Sequence, residues 1–345
     1  MTNSPRLSVV VPARNAAATL PRCLDAVLSQ AGDDVEVIVV DDASTDETRA
    51  AASRRSVCCL SLPRWRGVSA ARNVGAAAAR APLLFFLDAD VVLAPGALAR
   101  GLELMSNPDL DAAIGSYDDE PPVRSLTSLF KNLAHHHVHQ RSNPNARTFW
   151  GACGLIRRER FLAAGGFDEE RYQLPSIEDI ELGYRLIERG ARIRLDPGLQ
   201  GKHLKRWTLR SLLATEVRRR AIPWTILCLE RDGFPKDLNL TASQRLAAVV
   251  ALAMSALVPL SFLWRPAAAL IVLLLPVGVW LNRDLYRLFL RKGGVSLAIG
   301  GFLLQQLYYL YSLFGLVAGT VIHLGHRLAG RKRREPSGAG LDDAG

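Results

Sequence analysis

Hydropathy divides this chain in two, and that division limits its fold more than any other feature. Residues 245–324 are dominated by Leu, Ala, Val, Gly and aromatic side chains, whereas residues 1–235 mix charged and apolar positions as a soluble domain does. A helix needs only about 20 apolar residues to cross the hydrocarbon core of a bilayer, so the C-terminal tract has room for several crossings. Residues 245–264 and 266–281, parted at Arg265 and Pro266, read as a helical hairpin that returns Arg283, Arg287, Arg291 and Lys292 to the cytoplasmic side. Residues 295–322 are long enough for a third, tilted span. That crossing would carry Arg331, Lys332, Arg333 and Arg334 outside, against the positive-inside tendency, and three spanning helices are expected nonetheless.

The basic residues bear on partners. Lys and Arg number 43 against 33 Asp and Glu, a net charge of +10. Much of the excess falls in 202–220, 283–292 and 327–334, beside the apolar tracts, where cations suit anionic lipid headgroups. No nucleic-acid motif or aromatic-basic interleaving accompanies them, so no nucleic-acid partner is expected. Cys23, Cys58, Cys59, Cys153 and Cys228 form no CxxC pair or disulfide framework, as in a reducing compartment. The apolar run after Arg6 is too short for the core of a secretory signal. The expected location is therefore the cytoplasmic membrane, multi-pass, with the soluble domain facing the cytoplasm.

Within that domain, short β-rich runs alternate with helical periodicity. Residues 7–11 form a first strand ended by Pro12, and Leu20, Leu24, Val27 and Leu28 recur at helical spacing across 17–30. A second strand over 35–40, a helix over 45–54 capped by Ser44 or Thr45, a third strand over 57–60, an Ala-rich helix over 68–80 and an apolar strand over 83–87 continue the pattern. Repeated βα units with apolar strands imply an α/β fold whose mostly parallel sheet is covered on both faces. Ligands of such sheets bind beyond the carboxyl ends of the strands. Here those ends are acidic: Asp41 and Asp42 follow the second strand, Asp88 and Asp90 the fourth. Two carboxylates at i and i+2 can share one hard cation, and a nucleotide diphosphate would supply further oxygens to Mg²⁺ or Mn²⁺.

The segments 9–15 (VVVPARN), 39–46 (VVDDASTD), 71–75 (ARNVG), 86–90 (FLDAD) and the Glu178-Asp179 pair, in that order, resemble an inverting family 2 glycosyltransferase with the GT-A fold, of the bacterial membrane-attached type. The likeness runs over residues 7–205. It implies a catalytic domain over 1–205; composition and hydropathy then give amphipathic interface helices and linker over 206–241, transmembrane helices over 242–326 and a basic, then flexible, tail over 327–345.

The resemblance also implies roles. Pro12, Ala13 and Arg14 would wall the donor's base, with Asp42 accepting from a pyrimidine N–H, which points to a UDP-sugar. Arg72, near the start of its helix, would face the diphosphate or the acidic cluster. Asp90 would ligate the metal, Asp88 would reach ribose or metal, and His203, after a strand over 192–195 and a short loop, would complete the metal site. Asp179 would be the general base with Glu178 in support. The helix start there is expected to lower their pKa and keep them ionised. Trp150, Gly151 and Trp207 would lie on the acceptor side. His203 stands where the processive synthases carry Gln in QxxRW, which argues against a processive enzyme. For Asp41, Asp42, Glu178 and Asp179 helix capping is the plainer alternative; for Arg72 it is a surface ion pair.

His135, His136, His137 and His139 lack carboxylate or cysteine partners at metal spacing, and a hydrated or acceptor-facing helix is expected there. The mix of Lys202, Lys205, Arg206, Arg210 and Arg218–220 with leucines, Trp207 and Trp224 suggests helices lying in a membrane interface, hence a lipid-linked acceptor. A polyprenyl-phosphate monosaccharide synthase of the same fold remains open, as does a non-catalytic nucleotide-binding membrane scaffold. A dinucleotide-binding Rossmann protein is excluded because no GxGxxG follows the first strand.

Overall fold

A computed structural model describes residues 4–231 and 242–334. The catalytic-type domain is built on one sheet. Its elements are β1 (Leu7–Ala13), α1 (Leu20–Leu28), β2 (Val35–Asp41), α2 (Thr48–Ser53), β3 (Cys58–Ser61), α3 (Val68–Ala78), β4 (Leu83–Leu87), β5 (Val91–Leu93), α4 (Ala97–Met105), β6 (Ala112–Tyr117), α5 (Leu126–Arg141), β7 (Asn145–Ala146), β8 (Cys153–Arg157), α6 (Arg158–Ala163), α7 (Glu178–Glu188) and β9 (Ile193–His203). The strand order is β3-β2-β1-β4-β8-β6-β9-β5, with β7 beside β9. β3, β2, β1 and β4 are mutually parallel. Beyond β4 the sheet is mixed, since β8 runs antiparallel to both β4 and β6 while β6 and β9 are parallel.

Alternation along the strands separates the two cores. Leu7, Val9 and Val11 of β1 pack on one face with α1, Val27 and Phe85, whereas Val10 packs on the other with Ile38, Val40 and Phe86. α3 lies close on that second face, where a Cβ on Gly75 would fall 2.3 Å from Val10 Cγ1.

Three local expectations give way. β1 runs on through Pro12, paired with Val40 on the β2 side, where β4 no longer pairs with it beyond Val10. α2 starts at Thr48 with Glu47 before it, so neither Ser44 nor Thr45 caps it. β9 is one continuous strand that ends on His203, not a short strand and a loop.

After β9, α8 (Leu209–Ala214), a π-helical segment (Thr215–Ala221) and α9 (Ile222–Glu230) follow without a break. Both tryptophans of this region turn inward: Trp207 is buried, and Trp224 Nε1 donates to Tyr184 at 3.1 Å. α10 (Ala242–Leu260), α11 (Arg265–Leu281) and α12 (Arg283–Arg334) complete the chain. Ser243–Leu260 and the Arg283–Ala329 stretch of α12 are long and apolar enough to cross a bilayer, while α11 is shorter. α12 kinks at Gly293 and Gly294, the latter at φ +66°, ψ −164°, a conformation open in practice only to glycine. The expected linker end over 232–241 and the tail beyond 334 lie outside the described residues.

A hydrophobic cluster joins the two parts. Leu129, Phe130 and Leu133 of α5 pack with Trp207, Leu212, Leu285, Phe289 and Leu297.

Candidate active site

Strand register assembles the first half of the site. The β4–β8 pairing sets Leu87 opposite Cys153, and the Asp88 N–H donates to the Ala152 carbonyl at 3.2 Å, so Asp88 stands beside Gly151. Arg72 reaches in from α3. Its Nη2 donates to Asp88 Oδ1 at 2.7 Å and its Nη1 to Glu178 Oε1 at 2.8 Å, with the guanidinium only 3% exposed. The surface ion pair considered for Arg72 is thus a buried bridge between two of the acidic motifs. A Cβ on Gly151 would fall 2.9 Å from Arg72 Cζ, so glycine is what lets the 150–152 turn lie flat on the guanidinium.

Asp42 sets the angle of α3. Its two oxygens accept the N–H groups of Arg66 and Gly67, each at 2.8 Å, at the entry to the helix. Gly67 has φ +94°, and a Cβ there would meet the Gln173 carbonyl at 2.0 Å. Asp42 therefore holds the loop that aims Arg72, with its carboxylate buried. Pro12 and Ala13 lie beside it on β1, and the Arg14 guanidinium sits 5.3 Å over the Trp65 ring.

Asp179 faces the same turn. Its Oδ2 accepts from Gly151 N–H at 3.1 Å and its Oδ1 from Ile180 N–H at 2.8 Å. Glu178 Oε2 accepts from Ser176 N–H at 2.7 Å. The expected lowering of the Asp179 pKa is overturned: burial, then the negative charge of Glu178, push it up to about 6, against the pull of Arg72 and the Gly151 N–H. The helix dipole is outweighed because the carboxyl sits in the protein beside another carboxylate.

The second half comes from the opposite edge. β5 and β9 pair antiparallel with Val91 opposite His203, and Leu204 N–H donates to the Asp90 carbonyl at 2.8 Å. This brings His203 Nε2 to 3.5 Å from Asp90 Oδ2. The other ring nitrogen, Nδ1, lies 3.0 Å from Asn132 Oδ1 on α5, and Tyr117 stacks on the ring at 4.4 Å and 3°. An imidazole whose Nδ1–H is held by an amide oxygen presents the Nε2 lone pair, the usual arrangement of metal-binding histidines. Burial raises the Asp88 carboxyl above its ordinary value; Arg72 pulls it back and Asp90 adds to the rise. A cation near the two carboxylates would relieve that repulsion, so the residues fit a divalent ion. They do not form a closed cage: among the described residues no three His, Cys, Asp or Glu side chains converge, and Asp88 has one oxygen committed to Arg72. An open set of this kind leaves coordination positions to substrate oxygens.

Residues 8–162 match the model of Glycosyl transferase family 2. This N-terminal domain belongs to that family. The chain is 30% identical over 223 residues to the pre-mycofactocin glycosyltransferase of Mycobacterium tuberculosis, covering 61% of this chain and 45% of the relative. It is 32% identical over 221 residues to the validoxylamine A glucosyltransferase of Streptomyces hygroscopicus subsp. jinggangensis, covering 54% and 52%. It thus spans about half the length of these relatives. A mannosyltransferase from Pyrobaculum calidifontis, solved in complex with GDP-Man and Mn²⁺, superposes with a TM-score of 0.55 at 21% identity, over 94% of this chain and 88% of that one. The fold of the family 2 domain is GT-A, as the motifs implied.

Some residues of this domain differ from their expected settings. Two of the α5 histidines are not hydrated: His135 and His139 pack with Tyr117 and Trp150, ring centroids 4.1–5.0 Å apart, and burial pushes His139 down to about 4, whereas His136 and His137 line an open pocket against Asp284 and Arg291. Trp150 is thereby fixed beside Gly151. Trp207 is a core residue of the α5–α12 junction, with its backbone N–H donated to Ser128 Oγ at 2.8 Å. Cys153 is buried, and burial pushes its thiol up, which leaves it inert. Asn132 and Tyr117 were not legible as site residues. Neither lies at a strand end with a motif, and only the α5–β9 packing brings them to His203.

Proposed function

We propose that the chain transfers a sugar from a nucleotide diphosphate sugar to a lipid-linked acceptor, with inversion at the anomeric carbon. Family resemblance favours a UDP-sugar as donor. The observation that carries the reading is the Arg72 bridge, which ties the donor-side Asp88 to the acceptor-side Glu178-Asp179 pair in one buried network. Asp179, with a pKa of about 6, is ionised at neutral pH yet basic enough to take a proton from an acceptor hydroxyl. Arg72 holds Asp88 and Glu178 at one place, and Asp42 keeps the α3 entry that aims Arg72 in position. Asp90 and His203, with Asp88, would hold Mg²⁺ or Mn²⁺, which would offset the charge that develops on the leaving nucleotide.

The acceptor belongs to a membrane because the C-terminal apolar segments, packed on the domain through α12, carry large apolar side chains that water does not favour. Phe262 and Leu263 are 86% and 89% exposed, and Val272 and Leu273 are both 68% exposed. Purified full chain incubated with a panel of nucleotide sugars, a divalent metal and a membrane lipid extract, followed by mass spectrometry, tests the whole reading. A glycosylated lipid with inverted configuration is expected. Labelled sugar found only in aqueous products would overturn the lipid acceptor, and full turnover in chelator would overturn the metal.

A further inference from the structure

A group of cations stands between Asp179 and the membrane helices, and the reaction as described does not use them. The π-helical segment places them. Its Arg219 carbonyl accepts from Ser176 Oγ at 2.5 Å, and Ser176 N–H donates to Glu178, so residues 218–220 lie against the turn that presents Glu178 and Asp179. α12 covers the segment from the other side: a Cβ on Gly315 would fall 2.3 Å from Ala221 Cβ. Lys205, two residues past His203, comes from the metal side with its ammonium 4.3 Å over the Trp207 ring. The acid paired with this group is Glu216, which is buried and taken by Lys131 Nζ at 2.8 Å; Arg220 Nε stays 3.6 Å away. Arg220 acts electrostatically on Asp179 and Tyr117, and Lys205 on Asp90. Arg220 thus shares an already satisfied carboxylate with Lys131; Lys205 and Arg219 enter no ion pair among the described residues, and the Arg220 side chain is 44% exposed.

We infer that Arg220, Arg219 and Lys205 form an anion subsite that takes a phosphate of the lipid acceptor. The inference rests on the lipid-acceptor reading above and names the chemistry that would recognise that acceptor. An arginine can fork across two phosphate oxygens, and a lysine adds a point charge. The α12 face supplies the apolar path along which a lipid tail would lie, so a phosphate at Arg220 sets the acceptor's reacting oxygen toward Asp179. Headgroup phosphates in the bilayer share the same chemistry.

Full-length protein in neutral detergent micelles, titrated with farnesyl phosphate and with farnesol, separates these sources. Wild type is expected to bind farnesyl phosphate at least about tenfold more tightly than farnesol, the effect of one charge-assisted hydrogen bond. Arg220→Gln and Lys205→Gln should each lose most of that preference while the Kd for the donor nucleotide holds. Arg210→Gln, an exposed cation on α8, controls for charge alone and should change nothing. Lys205 is exposed, so its variant remains informative if Arg220→Gln fails to fold. Equal binding of the two probes by wild type, or a loss of nucleotide affinity in the variants, would overturn the subsite. Full competition by phosphatidylglycerol at equal concentration would also overturn it, making the patch a headgroup anchor. Transfer to a phosphate-free lipid with no binding of farnesyl phosphate would sink the subsite and leave the lipid acceptor standing, whereas sugar in aqueous products alone would remove the lipid reading itself.

Discussion

Replacing Glu178 with Gln tests where the proposed base gets its pKa. Asp179 titrates at about 6 because burial disfavours its charge and Glu178 adds a negative neighbour, while Arg72 pulls the other way. The variant removes the repelling charge and leaves Arg72 one carboxylate fewer to neutralise, so both changes favour ionised Asp179. A neighbouring charge in a partly buried site is worth about 1.4 kcal/mol or more, which is one pH unit. The acid limb of kcat/KM should therefore move from about 6 to about 5 or below. At pH 5 the wild type should then run at about a tenth of its plateau and the variant at about half of its own, lower, plateau. Stability runs with the opposite sign to activity. The folded protein binds the Asp179 proton more tightly than the unfolded chain, whose value is near 3.8, so this group's contribution is present below that value and lost as pH rises through about 6. Rates between pH 4.5 and 8 at saturating donor, with circular dichroism at each pH, check both. An acid limb that stays near 6 in Glu178→Gln would refute the assignment, since an acceptor phosphate also titrates at about 6 and would ignore residue 178.

Asp90→Asn and His203→Ala should each weaken Mn²⁺ binding at least about tenfold by calorimetry, with an unchanged circular dichroism spectrum, because both side chains sit at the rim of the sheet. Asp179→Asn should abolish transfer while nucleotide affinity stays within a small factor; a large loss of nucleotide binding would move Asp179 to the donor side. Gly183→Ala should cost about 3 kcal/mol in denaturant melts, since its Cβ would meet the backbone N of Phe149 at 2.2 Å and Thr148 Cα at 2.5 Å, neither of which can swing away. Truncation after residue 230 should leave a domain that binds a hydrophobic dye and melts earlier than the full chain, because Leu129, Phe130 and Leu133 lose Leu285, Phe289 and Leu297.

What was legible follows from range. The βα repeats of the first 90 residues and the acidic strand ends are local patterns, and β1, β2 and β4 with Asp42, Asp88 and Asp90 stand where those patterns put them. The α7 start at Glu178 was legible for the same reason. The Asp179 pKa was not: the helix-start rule is local, whereas burial under the 150–152 turn is set by the β4–β8 register. β9 looked short because Asp196, Pro197 and Gly198 interrupt its apolar pattern, yet the strand continues through a register shift against β6. Asn132 and Tyr117 carry no motif at all, and their place at His203 depends on how α5 crosses the sheet.

α5 is also where the two parts of the chain meet. One face of this helix presents Asn132 to His203, and the neighbouring face presents Leu129, Phe130 and Leu133 to α12. These positions lie within about one turn, so the hydrogen bond that orients the histidine and the packing that seats the long apolar helix share the same stretch of backbone. Lys131, between them, reaches Glu216 in the π-helical segment, which in turn leans on Ser176 ahead of Glu178. The Asp90–His203 side and the Glu178–Asp179 side are therefore braced by the same three elements: α5, the 215–221 segment and α12. Close-packed interiors transmit displacement because they hold few voids to absorb it. A domain boundary at residue 205 follows the family's motifs, but the core that holds those motifs in register continues into the C-terminal apolar helices.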